Sequence, residues 1–238
     1  MDFLTLIYAF FGGLFPSLIW LYFLLKEDAR HPEPKKLIAF AFIVGMLMVP
    51  LALPLEQFAK TSLLGDQSNM SLLILVAWAL IEEVLKYAAA ASLILWRPAV
   101  DEMPDYVIYM ITVALGFASA ENMLFLITPL MNGGAASSIF TGDVRFLGST
   151  LLHIVASASI GFALAFSHNG HPMTRVTATV SGLILAIALH TAFNALIINE
   201  GTSSAFIAFA FVWVVAVVFF AAFEVLKYFQ YRDIPINT

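Results

Sequence analysis

The sequence predicts an all-α fold: a polytopic transmembrane helical bundle of about seven spans, formed by a single domain over residues 1–238. Three observations predict it. Hydrophobic residues make up 61% of the chain and charged residues 11%, against about 25% charged in a soluble globular domain. Mean hydropathy is +0.93. Seven apolar runs follow one another, each near the roughly 20 residues that a helix needs to cross a bilayer.

The first run, 3–25, is too long for the apolar stretch of a cleaved signal peptide and lacks a basic segment before it, so it reads as a first span. Lys26 to Lys36, with two prolines, separates it from the second, 36–58. Gly65-Asp66-Gln67-Ser68-Asn69 leads to the third, 70–96, and Arg97-Pro98 to Pro104 leads to the fourth, 105–130. Asn132-Gly133-Gly134 marks a connection to the fifth, 145–167. His168 to Pro172 leads to the sixth, 175–199, and the seventh covers 204–228. One set of loops and the C-terminus carries Lys26, Arg30, Lys35, Lys36, Arg97, Arg175, Lys227 and Arg232, whereas the other set carries Lys60 and Arg145. The positive-inside rule then sets the N-terminus outside and the C-terminus inside, in a multi-pass protein of the cell membrane. The net charge of -5 itself says little, because sidedness follows the placement of Lys and Arg; no nucleic-acid partner is suggested, and the partners expected are the lipid bilayer and a membrane-anchored protein. The chain has no cysteine, which excludes disulfides, thiolate nucleophiles and thiolate metal sites.

Ionisable groups inside spans cost a few kcal/mol or more each and usually face the bundle interior at functional sites. Span three holds Ala-Leu-Ile-Glu82-Glu83-Val-Leu-Lys86-Tyr; span four has Glu121-Asn122, span five His153, and span six His190 and Asn194. At about 1.5 Å per residue, Glu82 lies roughly 18 Å below the outer end of its span, and Glu121, His153 and His190 roughly 12–14 Å below theirs. Four groups on four antiparallel spans at one level predict one composite site. The pentapeptide Glu-Val-Leu-Lys-Tyr recurs at 224–228, without the preceding Glu and at a span end, so the double Glu at depth is the informative part. Other readings compete: an intrahelical ion pair for Glu82 or Glu83 with Lys86, a satisfied core histidine for His153, and interhelical bonding for Asn194. Gly116 with Ala120, and Ser157 with Gly161, read as close-packing pairs. His31, His168 and His171 read as solvated loop residues.

The sequence contains no Gly-x-Ser-x-Gly, no His-Glu-x-x-His, and no Gly-x-Gly-Asp, since Phe140 stands two residues before Gly142-Asp143. Carboxylates, imidazoles and a carboxamide remain. A buried carboxylate can act as a general base towards water, and histidine or asparagine can donate to a developing oxyanion, which together describe a water-activating amide hydrolase.

These residues resemble the motifs of the PrsW family of intramembrane proteases, related to the CAAX prenyl endopeptidases. Pro16-Ser-Leu-Ile-Trp20, Asp28 and Pro32-Glu33-Pro34 resemble the family's N-terminal signature. Glu82-Glu83-Val-Leu-Lys86 is similar to Glu-Glu-x-x-Lys, and Phe117-Ala-Ser-Ala-Glu121-Asn122 to Phe-x-x-x-Glu-Asn. His153 with Ser157, and His190-Thr-Ala-Phe-Asn194, resemble the two later motifs. The CAAX enzymes have a histidine where Glu121 stands, which argues against prenyl-protein processing. The resemblance implies a glutamic-type or metal-dependent endopeptidase whose namesake cuts a membrane-anchored anti-sigma factor on the extracytoplasmic side. It assigns water activation to Glu82 with Glu83 as its partner. Water orientation and oxyanion stabilisation fall to His153, His190 and Asn194. Glu121 supplies a second carboxylate near the water or a metal, and Pro32-Glu33-Pro34 is structural.

Two versions stay open: catalysis without a metal, and a divalent ion such as zinc held by Glu82, Glu121, His153 and His190. From other classes, a proton- or ion-coupled transporter would use the same groups as a relay, although no duplicated halves are evident, and a membrane scaffold would tolerate their loss.

Overall fold

The computed structural model describes residues 3–28, 31–64, 71–198 and 202–231. The expected connection at 65–69, Arg30, Arg232 and residues 200–201 lie outside them. Among the described residues the seven apolar runs fall on six helices: α1 (Phe3–Glu27), α2 (Lys35–Leu64), α3 (Leu72–Leu93), α4 (Met103–Phe166), α5 (Pro172–Ile198) and α6 (Thr202–Tyr231). No strand occurs among the described residues. α4 merges the fourth and fifth runs, and the Asn132-Gly133-Gly134 stretch is helical backbone rather than an open loop. α4 nevertheless doubles back. Asn122 Nδ2 donates to Thr150 Oγ1 at 3.0 Å, whereas 28 residues of straight helix would separate them by about 42 Å. Its two arms, 103–127 and 148–166, are therefore neighbours.

Among the described residues six stretches are long and apolar enough to cross a membrane: α1, α2, the two arms of α4, α5 and α6. α3, at 22 residues, spans about 33 Å and differs from them by the three charges at its centre. Helix starts follow local chemistry. At α4 the Asp105 carboxylate accepts from the backbone N–H groups of Asp101 and Glu102 at 3.0 and 2.8 Å, Glu102 caps in return, and Pro104 occupies the first turn, where no N–H is needed. Pro172 opens α5 in the same way.

α4 is the core. Its arms are 67% and 72% buried, against 17% for α1 and for α6, whose Phe, Trp and Val side chains face outward, as lipid solvent requires. Every other helix packs on α4. The α2–α4 crossing is a backbone contact: a Cβ on Gly45 would lie 2.0 Å from the Val113 carbonyl oxygen, and one on Gly116 1.9 Å from that of Phe42. Gly161 likewise seats the second arm of α4 against Val107, so the close-packing reading of Gly116 and Gly161 fits.

A polar cluster stands at the end that carries the basic loops. Asp28, Glu33 and Asp105 are buried, Tyr109 Oη donates to Glu33 Oε2, and Tyr231 Oη donates to Glu102 Oε2. His31, expected to be solvated, stacks on Tyr231 with its side chain half exposed. Burial pushes the Glu33 carboxyl up to about 8 and that of Asp28 to about 6, with the nearby Asp105 carboxylate adding to both. The cluster ties the end of α1 and the start of α2 to α4 and α6, the structural role expected of Pro32-Glu33-Pro34.

Candidate active site

α3 brings Glu82, Glu83 and Lys86 inward on one face; the first arm of α4 brings Glu121, the second His153 and Ser157, and α5 His190. Glu82, Glu83, Lys86, His153, Ser157 and His190 are each 4% exposed or less. Glu121 is the most open, with 22% of its side chain exposed.

Glu83 is saturated. Its Oε1 accepts from Lys86 Nζ at 2.6 Å and from His190 Nδ1 at 2.9 Å, and its Oε2 accepts from Ser157 Oγ at 2.9 Å. The other Lys86 bond reaches His153 Nδ1 at 2.9 Å. An ammonium only donates, so His153 Nδ1 accepts, and the ring proton sits on Nε2, which donates to Glu121 Oε2 at 2.8 Å. Both histidines thus rest a far nitrogen on a carboxylate and turn the other inward. The two rings stand edge to face at 5.2 Å.

Glu82 Oε2 is the exception. It is buried without a hydrogen-bond partner among the described residues, yet three nitrogens surround it: His190 Nε2 at 3.8 Å, Lys86 Nζ at 3.8 Å and His153 Nδ1 at 3.9 Å. Ligand atoms of Glu82, His153 and His190 lie within 4.8 Å of one another, close enough to share a metal ion. Two histidines and one carboxylate suit zinc, and the carboxylates behind His153 and His190 are the outer partners that metal-bound histidines usually have. The residues therefore fit a divalent ion.

Of the residues expected at the site, Glu82, Glu83, Glu121, His153 and His190 come together. Glu121 stands behind His153 rather than in the group of three that faces a common centre. Asn194 lies one turn beyond His190, half-buried, and no hydrogen bond ties it to the cluster among the described residues. Two contributors were missed in the sequence. Ser157 bonds to Glu83 as well as packing. Glu56 of α2 lies within electrostatic reach of Glu121, Glu82 and Lys86, while Trp78 Nε1 holds its backbone carbonyl at 3.1 Å. Glu56 was legible only as a charge in the outer half of an apolar run.

A family model described as the PrsW family intramembrane metalloprotease matches residues 33–223. Among curated proteins, the chain is 22% identical to Protease PrsW of Clostridioides difficile over 193 residues, 80% of this chain and 79% of that protein. It is 25% identical to Protease PrsW of Bacillus subtilis over 184 residues, 77% and 79% of the two chains. It is 33% identical to Protease PrsW of Oceanobacillus iheyensis over 120 residues, 49% and 53%. No solved structure matches. With a match over most of its length and a buried carboxylate–imidazole cluster among its helices, the chain belongs to the PrsW family of intramembrane proteases.

Proposed function

We propose that this protein is a cell-membrane endopeptidase that hydrolyses a peptide bond of a membrane-anchored protein near the extracytoplasmic side, with Glu82 activating the water. The observation that carries the reading is the buried Glu82 Oε2, without a hydrogen-bond partner among the described residues and ringed by nitrogens at 3.8–3.9 Å. A water between them would give a proton to Glu82 and attack the carbonyl carbon, and the carboxyl would then protonate the leaving amine.

The hydrogen bonds divide the remaining work. Glu83 accepts the Nδ1 proton of His190 and so turns Nε2, a lone pair, towards Glu82; Glu121 does the same for His153 through the opposite nitrogen. His190 held this way receives a hydrogen of the water or binds a metal through Nε2, and His153 does so through Nδ1 once Lys86 releases it. They do not donate to an oxyanion from those nitrogens, so that task falls to Asn194 once substrate is bound. Glu82, His153 and His190 would hold a divalent ion such as zinc, which supplies a Lewis acid and a water of lowered pKa.

The basic residues orient the bundle with its C-terminus in the cytoplasm, and the cluster stands nearer the opposite face, the shorter path for water. A helical peptide bond is shielded by its own hydrogen bonds, so the cut belongs in an unwound segment at or beyond the outer end of the substrate's span. An anti-sigma-factor-like membrane protein is such a substrate.

Purified wild type and Glu82→Gln, compared on membrane proteins with the new termini mapped by mass spectrometry, test this. Cleavage is expected to fall by about 1000-fold or more in Glu82→Gln, with folding retained. Full activity in the variant would reject Glu82, and cuts clustered at the cytoplasmic ends of substrate spans would reject the orientation. Activity with and without a chelator separates the metal-free and metal-dependent forms.

A further inference from the structure

Lys86 stands inside this site in a role that water activation does not use. Its Nζ is fully buried, 2.6 Å from Glu83 Oε1, 2.9 Å from His153 Nδ1, 3.8 Å from Glu82 Oε2 and 4.6 Å from the centroid of the Phe117 ring. Which nitrogen of His153 it holds matters. Nε2 is turned away, donating to Glu121, and Nδ1 is the nitrogen that faces Glu82. Nδ1 is therefore the atom His153 offers to any ion shared with Glu82 and His190. An aromatic nitrogen has one lone pair, and a Lys86 N–H occupies it. The same ammonium sets a fixed positive charge within 4 Å of Glu82 Oε2.

A divalent ion entering this group meets two obstacles, a ligand atom already engaged and a like charge alongside. Lys86 nevertheless has somewhere to go. Its shorter bond is to Glu83, three residues away on the same helix, and that bond can persist while a side-chain rotation releases His153.

We propose that Lys86 is a resident cation that caps the inward nitrogen of His153 and thereby sets how tightly, and how selectively, the Glu82–His153–His190 group takes a divalent metal. The inference rests on that group being the hydrolytic centre. With Lys86 in place, two histidines that would otherwise be ready for any transition metal are held in register by a charge built into the protein. Weakly binding ions are excluded, and only an ion that gains enough from three ligands releases the lysine.

The test is metal binding by the full-length protein in detergent, stripped with a chelator and then titrated. Cobalt(II) is followed by its visible ligand-field absorption and zinc by competition with a chromophoric chelator. Lys86→Met removes the charge and the bond; Lys86→Gln removes the charge, keeps a donor for His153, and serves where the methionine variant does not fold. One equivalent is expected to bind about 10- to 100-fold tighter in Lys86→Met than in wild type, the size of effect that groups behind metal ligands have. A smaller gain is expected in Lys86→Gln, and loss of the gain when Glu82→Gln is added. Equal or weaker affinity in both variants, or no stoichiometric metal in any of the proteins, would overturn the proposal. Cleavage by the wild type is read in parallel. Absence of proteolysis counts against the hydrolytic reading, while the affinity ratio decides Lys86 on its own.

Discussion

The chain writes Glu-Val-Leu-Lys-Tyr twice, and the two copies fold alike but live differently. In α3, Lys86 Nζ lies 2.6 Å from Glu83; in α6, Lys227 Nζ lies 2.6 Å from Glu224, with the same three-residue spacing. The local sequence thus fixes the helix, the pair and its length. Everything else comes from the neighbours. The α3 pair is 0% exposed and is joined by His153, His190 and Ser157. In α6 the lysine side chain is 17% and the glutamate 49% exposed, and the added partner is Glu27 at the end of α1. An ion pair at a helix end meets water and headgroups; the same pair in mid-helix must find polar partners from other helices or not exist at all.

The largest expected difference between the copies is in stability. Glu83→Ala strands a buried ammonium and leaves His190 without its orienting acceptor. It is expected to cost about 3–5 kcal/mol, seen as a markedly lower thermal midpoint in detergent, along with loss of cleavage. A near-normal midpoint would show that water or Glu82 replaces Glu83, which would break the contrast. A middle-sized effect is expected at the end of the bundle that holds the second copy. There the folded Glu33 titrates at about 8 and Asp28 at about 6, both above their ordinary values. The folded state keeps protons that the unfolded chain gives up, so this cluster's contribution is full below about pH 4 and is lost as pH rises towards 8. Thermal midpoints measured from pH 5 to 8 are expected to fall, and Glu33→Gln, which mimics the protonated carboxyl, is expected to flatten that fall. A profile unchanged by the substitution would count against it. The smallest effect belongs to the second copy itself. Glu224→Ala is expected to change stability by about 1 kcal/mol or less, because surface pairs are weak and Glu27 remains to receive Lys227.

The same contrast shows what was legible in the sequence. Long apolar runs gave the helices, because in lipid the backbone has little choice but to bond within itself. Depth along each run gave the level at which Glu82, Glu121, His153 and His190 meet, because helical rise is fixed. Rotation about the helix axes was not legible. Counting residues places Glu121 and Glu82 at similar depth but cannot say that Glu121 sits behind His153 while Glu82 faces both rings. Nor could it say that Lys86 reaches past its own helix to His153, or that Ser157, a small residue at a packing interval, would also donate to Glu83. The connection near Gly133 was legible as the place where the chain turns back, but its helical backbone was not, because glycine usually marks a break yet can also adopt helical angles.

The glycine crossing of α2 and α4 bears on how sensitivity to mutation should be interpreted. Gly45 and Gly116 hold two backbones at a separation that leaves no room for one methyl group, and Phe117 and Glu121 follow within five residues on the same arm. A methyl at Gly116 must push that arm aside, carrying with it the ring beneath Lys86 and the carboxylate behind His153. Gly116→Ala is therefore expected to abolish cleavage as completely as loss of Glu82, although glycine has no functional group to lose. Scored by activity alone, a saturation screen would rank the two positions together. The thermal midpoint tells them apart, falling in Gly116→Ala and holding in Glu82→Gln, so a map of essential positions in this protein traces the machining tolerance of its frame as well as its chemistry.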